Sequence, residues 1–193
     1  MLRMKWRYPN RAQVRLLLVA AGCVILTICT PVAAHADGEK EYEVKAAFIF
    51  NFAKFVEWPA RAFNSSESPF VVAVVGKDPF GGSLAAALRG KEVAGRSIVL
   101  KRFNWDDDMK GAHVLFIASE DPDRLSRVSD SVKGYPILTI GESRGFAPRY
   151  GIIGFTVEKK RVRFEINLDA ARRAGLTVSS RLLSLAKVVG DAK

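Results

Sequence analysis

Apolar positions along this chain fall into two periodicities, and the alternation between them predicts the fold. Residues 70–75 (FVVAVV) form a short run of apolar, mostly β-branched residues closed by Gly76, the pattern of a strand buried on both faces. Residues 97–103, 113–118 (HVLFIA) and 137–140 predict three more strands. Residues 151–158 and 162–168 flank Lys159-Lys160-Arg161, which predicts a hairpin. Between the strands the spacing turns helical. Residues 79–88 predict a helix with Pro79 in its first turn. Asp121 caps a second, with Pro122 at its first position and a body reaching about Val132. Two closing helices are predicted over 169–174 and 178–189. Strand–helix alternation followed by a hairpin specifies a mixed, mainly parallel α/β sheet, with helices on both faces and a C-terminal antiparallel hairpin.

The segment KAAFIFNFAKFVEWP, residues 45–59, is the most aromatic stretch. At 100° per residue Val44, Ala47, Phe48, Phe52, Phe55 and Trp58 share one broad face, with Glu43, Lys54 and Glu57 opposite. Its polar content and its length exclude a bilayer span, which needs ~20 apolar residues, so the helix is expected to cover a core. Two residues depart from that pattern. Phe50 projects among the charges and is a candidate partner contact. Asn51 falls inside the apolar face, where its amide requires a hydrogen-bond partner.

The first 36 residues change the reading of composition. They carry Arg3, Lys5, Arg7, Arg11 and Arg15 with no acidic residue, then an apolar run over 16–29, then Ala34-His35-Ala36. These are the three parts of a cleaved secretory signal peptide. The expected organisation is a signal peptide, 1–36, and one domain, 37–193, exported to the periplasm. Cleavage lowers the net charge from +10 to +5, leaving 25 basic against 20 acidic residues. Nucleic acid is then an unsuitable partner, and the basic excess points to acidic protein surfaces or a small anionic ligand. Cys23 and Cys29 leave with the signal peptide, so no thiol chemistry remains.

No catalytic, metal-binding or cofactor-binding residue is assigned. The exported domain keeps one histidine, His113, at the start of a buried strand, where it reads as structural. Gly76-Lys77-Asp78-Pro79-Phe80-Gly81-Gly82-Ser83 sits where phosphate loops sit but lacks the lysine–serine ending, and reads as a tight strand-to-helix turn. Asp106-Asp107-Asp108 reads as a solvated turn, and Ser179-Ser180 as a helix cap. Near the C-terminus Val162, Phe164, Ile166 and Leu168 alternate with Arg163, Glu165 and Asn167, and Arg172-Arg173 follow. Glu165, Asn167, Arg172 and Arg173 therefore form a second candidate patch for a protein partner or small anion. The stripe Val178, Leu182, Leu185 and Val189 reads equally as core or as a homodimer contact.

Two long blocks, KAAFIFNFAKFVEWP and VRFEINLDAARRAGLTVSSRLLSLAKVV (162–189), resemble the terminal signatures of the YfiR/HmsC-like periplasmic regulators. VVGKDPFG (74–81) and GAHVLFIAS (111–119) occupy the expected places between them. The resemblance implies a non-enzymatic α/β protein that binds the periplasmic sensor domain of an inner-membrane diguanylate cyclase and represses it. Cyclic di-GMP and biofilm output then stay low. Cysteine pairs found in some relatives are absent, so redox control through the domain's own thiols does not carry over. The alternative is a periplasmic small-ligand sensor with its ligand at the carboxyl ends of the parallel strands, acting on another membrane signalling partner.

Overall fold

The computed structural model describes residues 33–192. The expected signal peptide lies outside them except for residues 33–36, so the expected cleavage point after Ala36 falls on the helical backbone that begins at Ala33. Gly38–Lys193 forms one compact unit. The described α-helices are α1 (Ala33–Phe55), α2 (Ser83–Leu88), α3 (Pro122–Ser131), α4 (Phe146–Arg149), α5 (Leu168–Arg173) and α6 (Ser180–Leu183). Its strands are β1 (Val56–Glu57), β2 (Phe70–Gly76), β3 (Glu92–Val93), β4 (Arg96–Phe103), β5 (Val114–Ala118), β6 (Leu138–Gly141), β7 (Ile153–Glu158), β8 (Arg161–Asn167), β9 (Thr177–Val178) and β10 (Lys187–Val189).

Eight strands form one mixed sheet in the order β10-β8-β7-β6-β5-β2-β4-β3. The five central strands, β4-β2-β5-β6-β7, run parallel, while β3 and the β8–β10 pair run against them. The sheet starts at β2, adds β4 on one side and every later parallel strand on the other. That reversal places a topological switch point between the carboxyl ends of β2 and β5. Successive residues of β2 feed opposite cores. Val72 and Val74 pack with α1, α2 and α6, whereas Ala73 and Val75 pack with Leu125 and Val128 of α3. Both faces are thus covered, which is why β2 and β5 are apolar along nearly their whole length.

Helix α1 is fixed by aromatic contacts to the late hairpin. Phe52 meets Phe164 at 4.9 Å and Phe155 at 5.7 Å between ring centroids, and Phe48 meets Phe164 at 5.4 Å. Such pairs each add about 0.5–1.5 kcal/mol to area burial. Past α1 the chain bends into β1, which pairs with β9.

Several boundaries differ from the expectation. Pro79 lies in the loop before α2, because Asp78 Oδ1 accepts the Phe80 N–H at 2.8 Å and forms a turn there instead of a helical start. The hairpin turn is two residues, not three: Lys159 and Lys160 take φ of 49° and 61°, and Arg161 already pairs with Glu158. Positive φ at both positions is the two-residue turn whose twist matches the strands. The predicted helix over 178–189 survives only as α6. Leu182 stays buried, but Leu185 is 65% exposed, and Lys187–Val189 become β10 beside β8. There the backbone supplies a ladder to a strand edge that would otherwise stay open, and two valines suit it better than a helix.

The face of α1 is also rotated from the predicted one. Lys45, Ala46, Ile49, Phe52, Ala53 and Val56 are buried, while Val44 is 45% exposed and Ala47 and Asn51 face solvent. Asn51 therefore needs no internal partner.

Candidate functional site

The rotation of α1 follows from a polar cluster at the carboxyl end of the sheet. Lys45 is buried, and its Nζ lies 2.5 Å from Glu142 Oε2 and 2.5 Å from Glu41 Oε1. Glu142 directly follows β6, and its other oxygen accepts from the Tyr42 hydroxyl at 3.0 Å. The Lys45 ammonium also sits 4.5 Å from the Tyr42 ring centroid. Burial first, and the Glu142 carboxylate second, push the Tyr42 hydroxyl pKa well above its ordinary value. Two carboxylates and an aromatic face thus compensate one buried cation, the condition for keeping a lysine inside. Tyr42 in turn packs edge-on against Phe80, and Phe80 against Phe116 of β5.

At the switch point itself the chain supplies its own filler. Gly76 ends β2 with φ of 92°, and a Cβ there would come within 2.5 Å of the Trp105 ring and 2.8 Å of the Ala118 carbonyl. The indole lies across the carboxyl ends of β2 and β5, with the Arg124 guanidinium 5.0 Å from its centroid. A glycine is required because the ring needs the volume.

Phe50 is half-buried against the α1-side core, and its ring centroid lies 5.7 Å from Lys54 Nζ and 5.8 Å from Lys91 Nζ. Two cations thus lie over its ring, one of them from Lys91, which directly precedes edge strand β3. The other candidate residues gather at the opposite end of the strand order. Glu165 of β8 receives Lys187 of β10 at 2.7 Å, directly across the register. Arg172 is exposed and pairs with Asp169 at 3.1 Å. Arg173 grips Asp191, which follows β10, through two bonds of 2.8 and 2.9 Å. The hydrogen bond to Arg173 and a second from Asn167 lower the Asp191 carboxyl to about 2.

Asn167 is a correction to the expected polar face: it is 1% exposed. Its Oδ1 accepts from Ala170 N at 3.0 Å and caps α5, while its Nδ2 donates to Ala147 O at 3.0 Å and Asp191 Oδ1 at 2.8 Å. Asparagine at that position is read by the helix start, not by solvent. Asn167 and Arg173 therefore meet at Asp191, whereas Glu165 and Arg172 each have a separate ion-pair partner and Phe50 contacts none of them.

The remaining chemical motifs have local work. His113 Nδ1 accepts from Val71 N–H at 3.0 Å, so its Nε2–H donates to Ala62 O at 3.0 Å. The ring stacks between Phe63 and Phe70, at 4.5 and 4.9 Å. Burial lowers its pKa, and both bonds require this neutral tautomer. Asp107 and Asp108 accept backbone N–H groups of their own turn, and Ser179 caps α6. Arg96 holds the 64–69 loop by donating to three of its carbonyls, of Ser65, Ser66 and Ser68. Among the described residues no His, Cys, Asp and Glu group is placed to hold a metal ion, and no helix is long and apolar enough to cross a membrane.

The model of the YfiR/HmsC-like family matches residues 42–187. That span begins at Tyr42 and ends at Lys187, so it takes in the buried Lys45 cluster, the switch point and the β8–α5 patch alike. It also covers well over half of the 193 residues, and the chain belongs to the YfiR/HmsC-like family.

Proposed function

We propose that this protein is a periplasmic, non-catalytic regulator that binds the periplasmic sensor domain of a membrane-bound diguanylate cyclase and represses it, lowering cyclic di-GMP and biofilm output. Family membership over residues 42–187 carries this reading. The net positive charge of the exported domain suits an acidic partner surface, and arginines are favoured at such contacts. Phe50, with its flanking lysines, is one contact. Glu165, Arg172 and Arg173 form the other, held in place from below by Asn167, which positions α5 without itself reaching the partner. Because each charged member of the second patch already has an internal partner, binding exchanges ion pairs and its strength falls with salt.

The test is a deletion strain complemented by the wild-type gene. Cyclic di-GMP rises on deletion and returns on complementation, while the purified protein leaves cyclic di-GMP and its precursor nucleotide unchanged. Nucleotide levels indifferent to the deletion, under conditions where the gene is expressed, contradict the repressor role.

A further inference from the structure

Asp191, Asn167 and Arg173 together line a cavity of about 460 Å³. Its size is that of a small-molecule site. Tyr135, Ile137, Tyr150 and Ile152 give it apolar walls, and Lys133, Arg149 and Arg173 give it cations. Against these stand two carboxylates, Asp130 and Asp191. Asp191 belongs to an exposed stretch, residues 190–192, joined to the domain here by its own side chain and by one backbone bond, Ala192 N–H to Pro148 O at 2.8 Å.

The geometry around Asp191 is that of carboxylate recognition. A guanidinium meets both oxygens in the fork arrangement, and a buried carboxamide adds a third donor to one of them. Asn167 Nδ2 is fixed before any carboxylate arrives, because its Oδ1 is committed to the α5 cap and its other amide hydrogen to Ala147 O. Arg173 leaves the end of the same helix. The carboxamide is thus held by the fold and the guanidinium is anchored at its helix end, whereas the carboxylate they hold comes from an exposed segment.

We propose that this cavity binds a small organic carboxylate with an apolar body, and that Asp191 occupies its carboxylate subsite as an internal competitor. Arg173 and Asn167 Nδ2 take the carboxylate, Tyr135 and Tyr150 flank the body, and Lys133 and Arg149 raise the local concentration of anions. The ligand enters by displacing Asp191, so the internal contact sets the threshold for binding. Because α5 carries Arg172 and Arg173, occupancy rearranges one of the two partner-contact patches.

The test is calorimetric titration of the full chain with benzoate, and with acetate as the carboxylate lacking a body. Alongside it run the side-chain amide signals of Asn167 in nitrogen–proton correlation spectra. Asp191→Ala and Asp191→Asn both remove the competitor at an exposed position. A contact closed about nine-tenths of the time weakens apparent affinity about tenfold, so each variant is expected to bind benzoate about tenfold more tightly than wild type. Asn167 signals shift on addition, and adding Arg173→Ala to either variant abolishes binding. Affinity unchanged by both Asp191 variants, benzoate binding that leaves Asn167 unshifted, or acetate bound as tightly as benzoate each overturn the assignment.

Discussion

Lys45 and Glu142 stand 97 positions apart in sequence, and their Nζ and Oε2 meet at 2.5 Å inside the fold. The pair ties the first helix to the end of β6 and decides which face of α1 turns inward. Breaking it by Glu142→Ala strands a buried ammonium. Loss of one partner of a buried pair costs about 3–5 kcal/mol, and the remaining Glu41 contact holds this case near the lower figure. The double substitution Lys45→Met, Glu142→Leu removes both charges and is expected to be closer to wild type than Glu142→Ala. Denaturant titrations of the three proteins check this; a double variant less stable than Glu142→Ala contradicts the account.

The phenylalanines of α1 separate by burial. Phe52 is wholly buried between Phe155 and Phe164, so Phe52→Ala is expected to cost about 3–5 kcal/mol. Phe50→Ala is expected to cost about 1 kcal/mol, since the ring is only partly covered, and to relieve repression of the partner without unfolding the domain. Phe55 shares the predicted apolar face with Phe52, yet it is only partly buried, with the Arg181 guanidinium 5.3 Å from its ring centroid, and falls between them. Thermal melts paired with a repression assay rank the three.

His113 makes stability depend on pH. Its folded-state pKa lies below the ordinary 6.5, so the unfolded chain takes up the proton more readily. The stability it contributes is complete above 6.5 and is lost progressively as pH falls below that value. Protonation would also turn the Val71 N–H acceptor into a donor. Between pH 7 and pH 5 the denaturation midpoint of wild type should fall more steeply than that of His113→Gln. Parallel slopes for the two proteins would mean that another group carries the effect.

At the β7–β8 turn two lysines adopt a conformation that favours glycine. Lys160→Gly is expected to raise stability by about 0.5–1 kcal/mol, the cost of a side chain at positive φ less the added backbone entropy of glycine in the unfolded chain. A melt lower than wild type would show that Lys160 makes a compensating contact.

Strands β2 and β5 were legible because each is an apolar run with covers on both sides, and both lie within a residue or two of where their sequences put them. The phase of α1 was misread because aromatic bulk at Phe48, Phe55 and Trp58 outweighed the cleaner stripe Ala46, Ile49, Ala53 and Val56. That stripe carries Lys45 inward, but its justification, Glu142, lies far along the chain and leaves no local mark. Asn167 was misplaced for a related reason: strict alternation put it outside, whereas a helix begins at the next residue and draws it in as a cap. Asp191 carries no sequence signal at all. Its meaning comes only from the return of β10 alongside β8, a pairing that the leucine spacing of 178–189 disguised as a helix.

Repression of a diguanylate cyclase from the periplasmic side is the activity proposed for the protein. Its most direct measurement is the rate of cyclic di-GMP synthesis by membranes of the deletion strain, with and without protein purified from the wild-type periplasm. The account predicts a dose-dependent fall in that rate with wild-type protein, and a weaker response with Phe50→Ala or with charge reversal at Arg172 and Arg173. A synthesis rate that stays constant at every concentration of correctly folded wild-type protein contradicts it.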